Sequence, residues 1–278
     1  MTTVQDLGRP GMAHLAVAPS GALDRQALRL GNRLVGNTTG AAALETTLTG
    51  VAVRAEADCL VAVTGSVCRI TVDGSEVGWG KSIVLRPGQL LDVGIASAGV
   101  RAYLAVAGGI CGPSIFGSQS SDVLSGLGPR PLRDGDFIYT SGETGPPDPA
   151  DFGGRCRPPQ RLDLLLHLGP RQDWLAPKAA AMMAWASCWV ASASNRTALR
   201  LEGSGLPFQR IGELPSEGIV TGAVQVPPDG RPLIFLADHP TTGGYPVIGV
   251  VDPADIGACA QARPGTTVCF RTRGYSAP

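Results

Sequence analysis

Ile70-Thr-Val-Asp73-Gly74-Ser-Glu-Val77 decides the fold class. Apolar and polar residues alternate on either side of Asp-Gly, the pair that accepts the positive φ angles of a two-residue hairpin turn, so the stretch predicts two antiparallel strands. Strand signals spread outward from it. Leu60-Val-Ala-Val63 is a short apolar run, Ser82-Ile-Val-Leu85 leads into Arg86-Pro87-Gly88, and Arg101-Ala-Tyr-Leu-Ala-Val-Ala107 runs into Gly108-Gly109. The chain has 38 glycines and 23 prolines in 278 residues, a composition of turns and short strands without a collagen period. Two helices are expected. One runs from near Asp24 to Val35, with Leu28, Leu34 and Val35 near helical spacing and Ser20 or Asp24 as cap; the other starts near Asp173 and ends around Trp185.

Charge narrows the function classes. Lys+Arg 23 against Asp+Glu 23 gives a net charge of zero, which argues against nucleic acid or an anionic membrane held by bulk charge. Lys81 and Lys178 are the only lysines, so Schiff-base chemistry or a lysine-tethered cofactor has two possible anchors. The N-terminus lacks an apolar signal region, and the apolar stretch 179–194 is shorter than the roughly 20 residues of a spanning helix. Seven scattered cysteines without a C-x-x-C pair read as reduced and mostly buried, in a cytoplasmic protein.

Pro146, Pro147, Pro149, Pro158 and Pro159, with Gly145, Gly153 and Gly154, place a linker at 143–161 between a first lobe, 1–142, and a second, 162–278. Fragments of the first lobe return in the second. Leu44-Glu45 is echoed by Leu201-Glu202, Arg101-Ala-Tyr-Leu-Ala-Val by Arg231-Pro-Leu-Ile-Phe-Leu, and Arg86-Pro-Gly88 by Arg263-Pro-Gly265. A tandem duplication is the expectation.

Gly80-Lys81-Ser82 ends like a phosphate loop, but Ser75 stands where that motif needs glycine, and a strand-like run follows in place of a helix. No G-x-S-x-G, S-x-x-K or H-E-x-x-H motif occurs, which disfavours serine hydrolase and zinc protease chemistry and leaves no metal ligand set. Leu236-Ala-Asp238-His239-Pro240-Thr241-Thr242-Gly243-Gly244-Tyr245-Pro246 carries the most chemistry. His239 could move a proton near neutral pH, Thr241 and Thr242 could orient a small polar ligand, and the amides of Gly243 and Gly244 could cradle an oxyanion beside Tyr245. A decorated turn between two strands explains the same residues equally well. Glu217 and Gln225, in a mostly apolar run, are a second pair: proton handling and substrate contact, or turn caps. Asp6 and Arg9 could shape a rim or pair with each other. Ser118, in Gly117-Ser-Gln-Ser-Ser-Asp122, could help bind an anion or form Ser and Asx turns, the reading the composition favours.

Strings along nearly the whole chain are similar to the KipA family, also described as allophanate hydrolase subunit 2, the C subunit of 5-oxoprolinase, or biotin-dependent carboxyltransferase-like. They include Thr3-Val-Gln-Asp-Leu-Gly-Arg-Pro-Gly11, Pro19-Ser-Gly-Ala-Leu-Asp24, Asn32-Arg-Leu-Val-Gly-Asn37, Ala43-Leu-Glu45, Arg101 to Gly109, Ser194-Asn-Arg196, Arg200-Leu-Glu-Gly203, Ser216-Glu-Gly218, Gln225 to Gly230 and Thr242-Gly-Gly-Tyr-Pro246. The resemblance implies a mainly β chain of tandem cyclophilin-like β-barrel lobes with a few short helices. It adds Asn195 and Arg196 to the substrate-binding candidates. It implies a KipI-like partner (allophanate hydrolase subunit 1, or the B subunit of 5-oxoprolinase), a LamB/YcsF-type third subunit and a heterotetramer. The activity it points to is ATP-dependent opening of 5-oxoproline to glutamate. Its rivals are carboxyl transfer to urea from a carboxybiotin carried on another chain, and a regulatory module that antagonises a KipI-like kinase inhibitor. No covalently bound cofactor is expected, since neither lysine lies in a Met-Lys-Met biotinylation hairpin. The chain departs from the family at Gln119, where an Arg is usual, at Ala198 within the Arg-x-Gly-x-Arg pattern, and at His239-Pro240, where Arg-Gln is common. Members usually carry a further strand ahead of Thr3, where Met1 stands here.

Overall fold

The computed structural model describes residues 1–142, 144–147, 157–177, 179, 182, 188–210, 212 and 214–272. They form two compact units, Met1–Pro10 with Ser20–Pro158, and Gly11–Pro19 with Pro159–Pro278. No helix among the described residues is long and apolar enough to cross a membrane.

The first unit contains β1 (Thr2–Gln5), α1 (Arg25–Leu34), β2 (Ala43–Thr47), β3 (Val51–Arg54), β4 (Cys59–Val72), β5 (Ser75–Glu76), β6 (Ser82–Leu85), β7 (Leu90–Val106), β8 (Ile110–Cys111) and β9 (Tyr139–Thr140). Its main sheet runs β1-β2-β7-β4-β5, with β3 also on β7 and β6 on β4. The hairpin expected at Asp73-Gly74 is present, with φ of +49° and +82°, the two positive angles a type I′ turn demands. The expected helix is α1. Asp24 caps it by accepting from the Ala27 amide at 3.0 Å, and Leu28, Leu34 and Val35 pack against Tyr103 and Ala105. Ser82 opens β6, so a strand does follow the Gly-Lys-Ser string, and the amides of a helix N-terminus are not there to hold phosphate.

The second unit is a closed barrel. Its strands are β10 (Arg161–Leu168), β11 (Cys188–Ser194), β12 (Ala198–Glu202), β13 (Glu217–Gly218), β14 (Ala223–Gln225), β15 (Leu233–Phe235), β16 (Thr242–Gly243), β17 (Val247–Val251) and β18 (Thr267–Thr272), with α2 (Ile256–Ala260) before the last. The barrel order is β10-β17-β14-β15-β12-β11-β18, and a parallel pairing of β18 with β10 closes it. β13 and β16 form a separate two-stranded ribbon. Period-2 alternation points Leu162, Leu164 and Leu166 of β10 inward, where they share burial with Trp189, Leu199, Ile234, Ile248 and Phe270. The mainly β architecture with a barrel is thus as the resemblance implies.

Two expectations need correction. The helix expected to start near Asp173 starts later: residues Pro170–Trp174 are a 3₁₀ turn, Leu175 is extended at φ −93°, ψ 148°, and Pro177 and Ala179 are helical. Pro177 suits a helix start, since its fixed φ fits the first turn and its ring disfavours helical geometry at Ala176 before it. Lys178 and residues 180–181 and 183–187 of that stretch lie outside the described residues. The cysteines are not all reduced either. Cys188 and Cys269 are bonded, facing each other across antiparallel β11 and β18 with Cα atoms 4.4 Å apart, the spacing of a non-hydrogen-bonded cross-strand pair. Cys59, Cys68, Cys111 and Cys259 are thiols, and Cys156 lies outside the described residues. Burial pushes Cys259 up to about 12, which leaves it inert.

The echoed Arg-Pro-Gly strings are the same turn. In each, the residue after glycine donates its amide to the Arg carbonyl at 3.0 Å, Gln89 to Arg86 and Thr266 to Arg263. Gly88 and Gly265 have φ of +86° and +91°, the type II pattern, and a strand follows at once. The echoes are not collinear, however. The first unit's turn precedes its Arg101 strand segment, while the second unit's turn follows the Arg231 segment.

Candidate functional site

The chemistry-rich stretch 236–246 leaves the barrel at the end of β15 and returns as β17. Its first half is buried. Asp238, fully buried, takes one edge of the Arg196 guanidinium through two bonds, Nε to Oδ2 at 2.8 Å and Nη2 to Oδ1 at 2.9 Å, and Arg196 is itself 2% exposed. The Arg196 carbonyl accepts from the Asp238 amide at 3.0 Å. Asn195 Oδ1 accepts from the amides of Thr197 and Ala198, both at 2.8 Å, and so shapes the turn between β11 and β12. Both residues thus hold the local backbone and the 236–246 stretch in place. His239 is 3% exposed, with Nδ1 at 2.8 Å from the Pro240 carbonyl and its ring 6.2 Å from that of Phe235.

The second half of the stretch is where open space begins. Thr242 and Gly243 form β16 and pair with Gly218 and Glu217 of β13. Glu217 meets the Arg171 guanidinium edge-on, through Nε at 3.0 Å and a closer bond from Nη2. That pairing holds its carboxyl below the usual range, away from the near-neutral value a proton shuttle needs. The sign follows. A depressed native value gives stability that is present above the ordinary Glu value near 4.5 and is lost as pH falls through the native one. Glu217 is expected to stay ionised below pH 4.5 in an NMR titration, and Arg171→Gln to return it to the ordinary range.

Gly243 does not adopt a positive φ, and a side chain there would have to displace the ends of two neighbours. A Cβ there would lie 2.6 Å from Ile219 Cδ1 and 2.9 Å from Gln225 Nε2. Gln225, buried in β14, donates that Nε2 to the Tyr245 carbonyl at 3.1 Å and so fixes the strand's far end. The Thr241 carbonyl accepts from the Ile219 amide at 2.9 Å. Gly244 and Tyr245 then line a cavity of about 820 Å³ within the second unit. Its other walls are Trp174, Phe208, Arg210, Gly212, Leu214, Val226, Pro228 and Pro246. Of the sequence-derived candidates Gly244 and Tyr245 line this cavity, while Glu217, Gln225, Thr241, Thr242 and Gly243 are joined to that stretch through strand pairing and hydrogen bonds. Trp174, Phe208 and Arg210 escape sequence reading because they lie in irregular segments without period. The available signal was that aromatics, only 5% of the chain, fall there in loops and not in strands.

Asp6, Arg9 and Ser118 belong to the first unit, in a polar knot of their own. Asp6 Oδ1 accepts from Gly8 N (2.7 Å), Ser118 Oγ (2.7 Å) and Ser120 Oγ (2.5 Å), and Oδ2 from Gln119 N (2.7 Å). Arg9, buried, donates to the Ser120 carbonyl. The hydroxyls of Ser118 and Ser120 are turned toward Asp6, in line with the turn-forming alternative. The same unit buries a second polar cluster. Glu45 Oε2 accepts from Tyr103 Oη at 2.7 Å and from the Leu23 amide at 3.0 Å, and Oε1 is 3.7 Å from Arg101 Nε. Burial first, then the charges of Glu45 and Asp24, push the Tyr103 phenol well above its ordinary value, so it remains a hydrogen-bond donor.

Comparison with known proteins places this arrangement. The family model for the carboxyltransferase domain, subdomain A and B, matches residues 15–272. The chain is 38% identical over 273 residues to the C subunit of 5-oxoprolinase from Escherichia coli, covering 97% of this chain and 87% of that one. It is 30% identical over 302 residues to urea amidolyase of Saccharomyces cerevisiae, covering 99% of this chain and 16% of that much longer protein. The crystal structure of TTHA0988 superposes with a TM-score of 0.87 at 36% identity over 97% of this chain. The chain spans about half of TTHA0988, 53% of its length.

Proposed function

This chain belongs to the carboxyltransferase domain family, subdomains A and B, and from that premise we propose that it is one component of a heteromeric enzyme that opens 5-oxoproline to glutamate with ATP. The observation that carries the reading is the near end-to-end identity with the C subunit of a 5-oxoprolinase. The cavity suits the task. A flat lactam has aromatic walls to lie against in Trp174, Phe208 and Tyr245, and Gly244, which lines the same space, directly follows the Thr242–Gly243 strand whose hydroxyl and amides would serve its carbonyl. Among the described residues the lining holds no serine, cysteine, histidine or carboxylate. On this reading the chain binds and orients the substrate, while activation by ATP falls to the partners: a KipI-like chain of the 5-oxoprolinase B type and a LamB/YcsF-type third component, in a heterotetrameric core. His239 and Glu217 then act as supports of the loop, His239 beneath it and Glu217 through Arg171.

The test is ATP-dependent release of glutamate from 5-oxoproline by the co-expressed chains, each left out in turn. Omitting this one is expected to return the rate to background. A stable complex without turnover would remove the oxoprolinase reading. The match to urea amidolyase makes carboxyl transfer the second reading, and carboxybiotin with urea is the assay for it. Tight binding of the KipI-like chain with neither activity would favour a regulatory module.

A further inference from the structure

Among the described residues that line the cavity, only one side chain is charged, Arg210. Its backbone is fixed. The amides of Gln209 and Arg210 both donate to the Trp174 carbonyl, at 3.0 and 3.3 Å, and the Ala176 amide donates to the Pro207 carbonyl at 2.8 Å, so that residues 207–210 are strapped to 174–176. Its side chain is held much less firmly. Nη1 lies 2.8 Å from Asp173 Oδ2, with the two side chains 57% and 41% exposed. The pairing is one-pronged, for Asp173 Oδ1 is buried and meets no donor among the described residues. Arg196 and Arg171 differ, since each of those is engaged edge-on by a carboxylate and neither lines the cavity.

An exposed pair made through one nitrogen is weak. A guanidinium is a planar fork that a carboxylate can take by two parallel bonds, and a ligand offering that geometry outcompetes a one-pronged neighbour. One cation among described lining residues that are otherwise uncharged and largely apolar or aromatic therefore selects a flat ring with a single anionic group at its edge. We propose that Arg210 is the specificity-determining residue of this cavity, fixing the carboxylate of a flat ring ligand, with Asp173 as the internal counter-ion that the ligand displaces. The assignment rests on the cavity being the substrate site proposed above.

The experiment is calorimetric binding to the full chain, alone and with its co-purified partner, using two acid–amide pairs of probes: 5-oxoproline against 5-oxoprolinamide, and benzoate against benzamide. Each acid is expected to bind at least ten-fold tighter than its neutral amide, with the preference shrinking as salt rises. Arg210→Gln should abolish the preference and leave the amides' affinity unchanged, Arg210→Lys should keep part of it, and Asp173→Asn should strengthen it. No acid preference in the wild-type chain, a preference that survives Arg210→Gln, or an equal weakening of acids and amides would each overturn the proposal. The benzoate pair separates this inference from the enzyme reading. A chain that prefers benzoate through Arg210 yet is dispensable for 5-oxoproline turnover retains the Arg210 assignment and loses the oxoprolinase one. Turnover that requires the chain, with an acid preference indifferent to Arg210→Gln, does the reverse.

Discussion

Arg196→Met is expected to cost the second unit about 3–5 kcal/mol, the usual effect of leaving a buried charge without its partner. Asp238 is fully buried and loses two bonds from the guanidinium at 2.8 and 2.9 Å. The loss should be read as a drop in the urea midpoint at unchanged slope. Arg196→Met with Asp238→Leu should recover most of it, because an apolar pair of similar volume replaces a buried ion pair at little net cost. This pair of variants also decides what Arg196 does. If it binds substrate, as its family string implies, the double variant will be stable but inactive. If its work is to tie the β11–β12 turn to the 236–246 stretch, activity will return together with stability. An unchanged midpoint in Arg196→Met would show that the pair contributes nothing.

Glu45→Leu in the first unit should be of similar size, about 3–5 kcal/mol, because it withdraws the carboxylate 3.7 Å from Arg101 while both residues are 1% exposed. Glu45→Gln keeps an acceptor for Tyr103 and Leu23 and should cost less, about 1.5–3 kcal/mol, the range of a hydrogen bond to a charged group. The order of the two variants, not either number, separates a lost charge from lost shape. Tyr103 adds a pH signature. Its native value is raised, so the stability it contributes is complete below the ordinary phenol value near 10 and drains away as pH rises beyond it. Tyr103→Phe should flatten that alkaline loss, followed by thermal melts between pH 9 and 11. An alkaline limb of the same steepness in Tyr103→Phe would place its origin in another group.

What was legible in the sequence was local. The turn at Asp73-Gly74 and the cap at Asp24 are each set by one or two residues whose backbone preferences have no easy substitute, and both stand where they were read. The Arg-Pro-Gly turns are legible for the same reason. What stayed hidden is made of distance. Barrel closure pairs Arg161 with Thr267, the disulfide joins residues 81 apart, and Arg196 finds Asp238 across 42 positions. Alternation along a strand shows which face is apolar without saying which strand comes next to it. The site divides in the same way. Thr242 to Tyr245 advertise themselves by composition, whereas Arg210 becomes notable only once Trp174, Phe208 and Tyr245 surround the space it enters. His239 shows what sequence leaves out: a titratable ring in a suggestive loop, whose burial beside Phe235 and contact with the Pro240 carbonyl only the fold reveals.

The bond between Cys188 and Cys269 makes the intervening chain a macrocycle. Every cavity residue except Trp174 falls on that ring. A protease cut at any one exposed loop between the two cysteines would therefore linearise the ring without releasing a fragment, and the walls would stay tethered to one another. The binding surface belongs to a circular peptide, and the oxidation state of two side chains on neighbouring strands decides whether that circle is open.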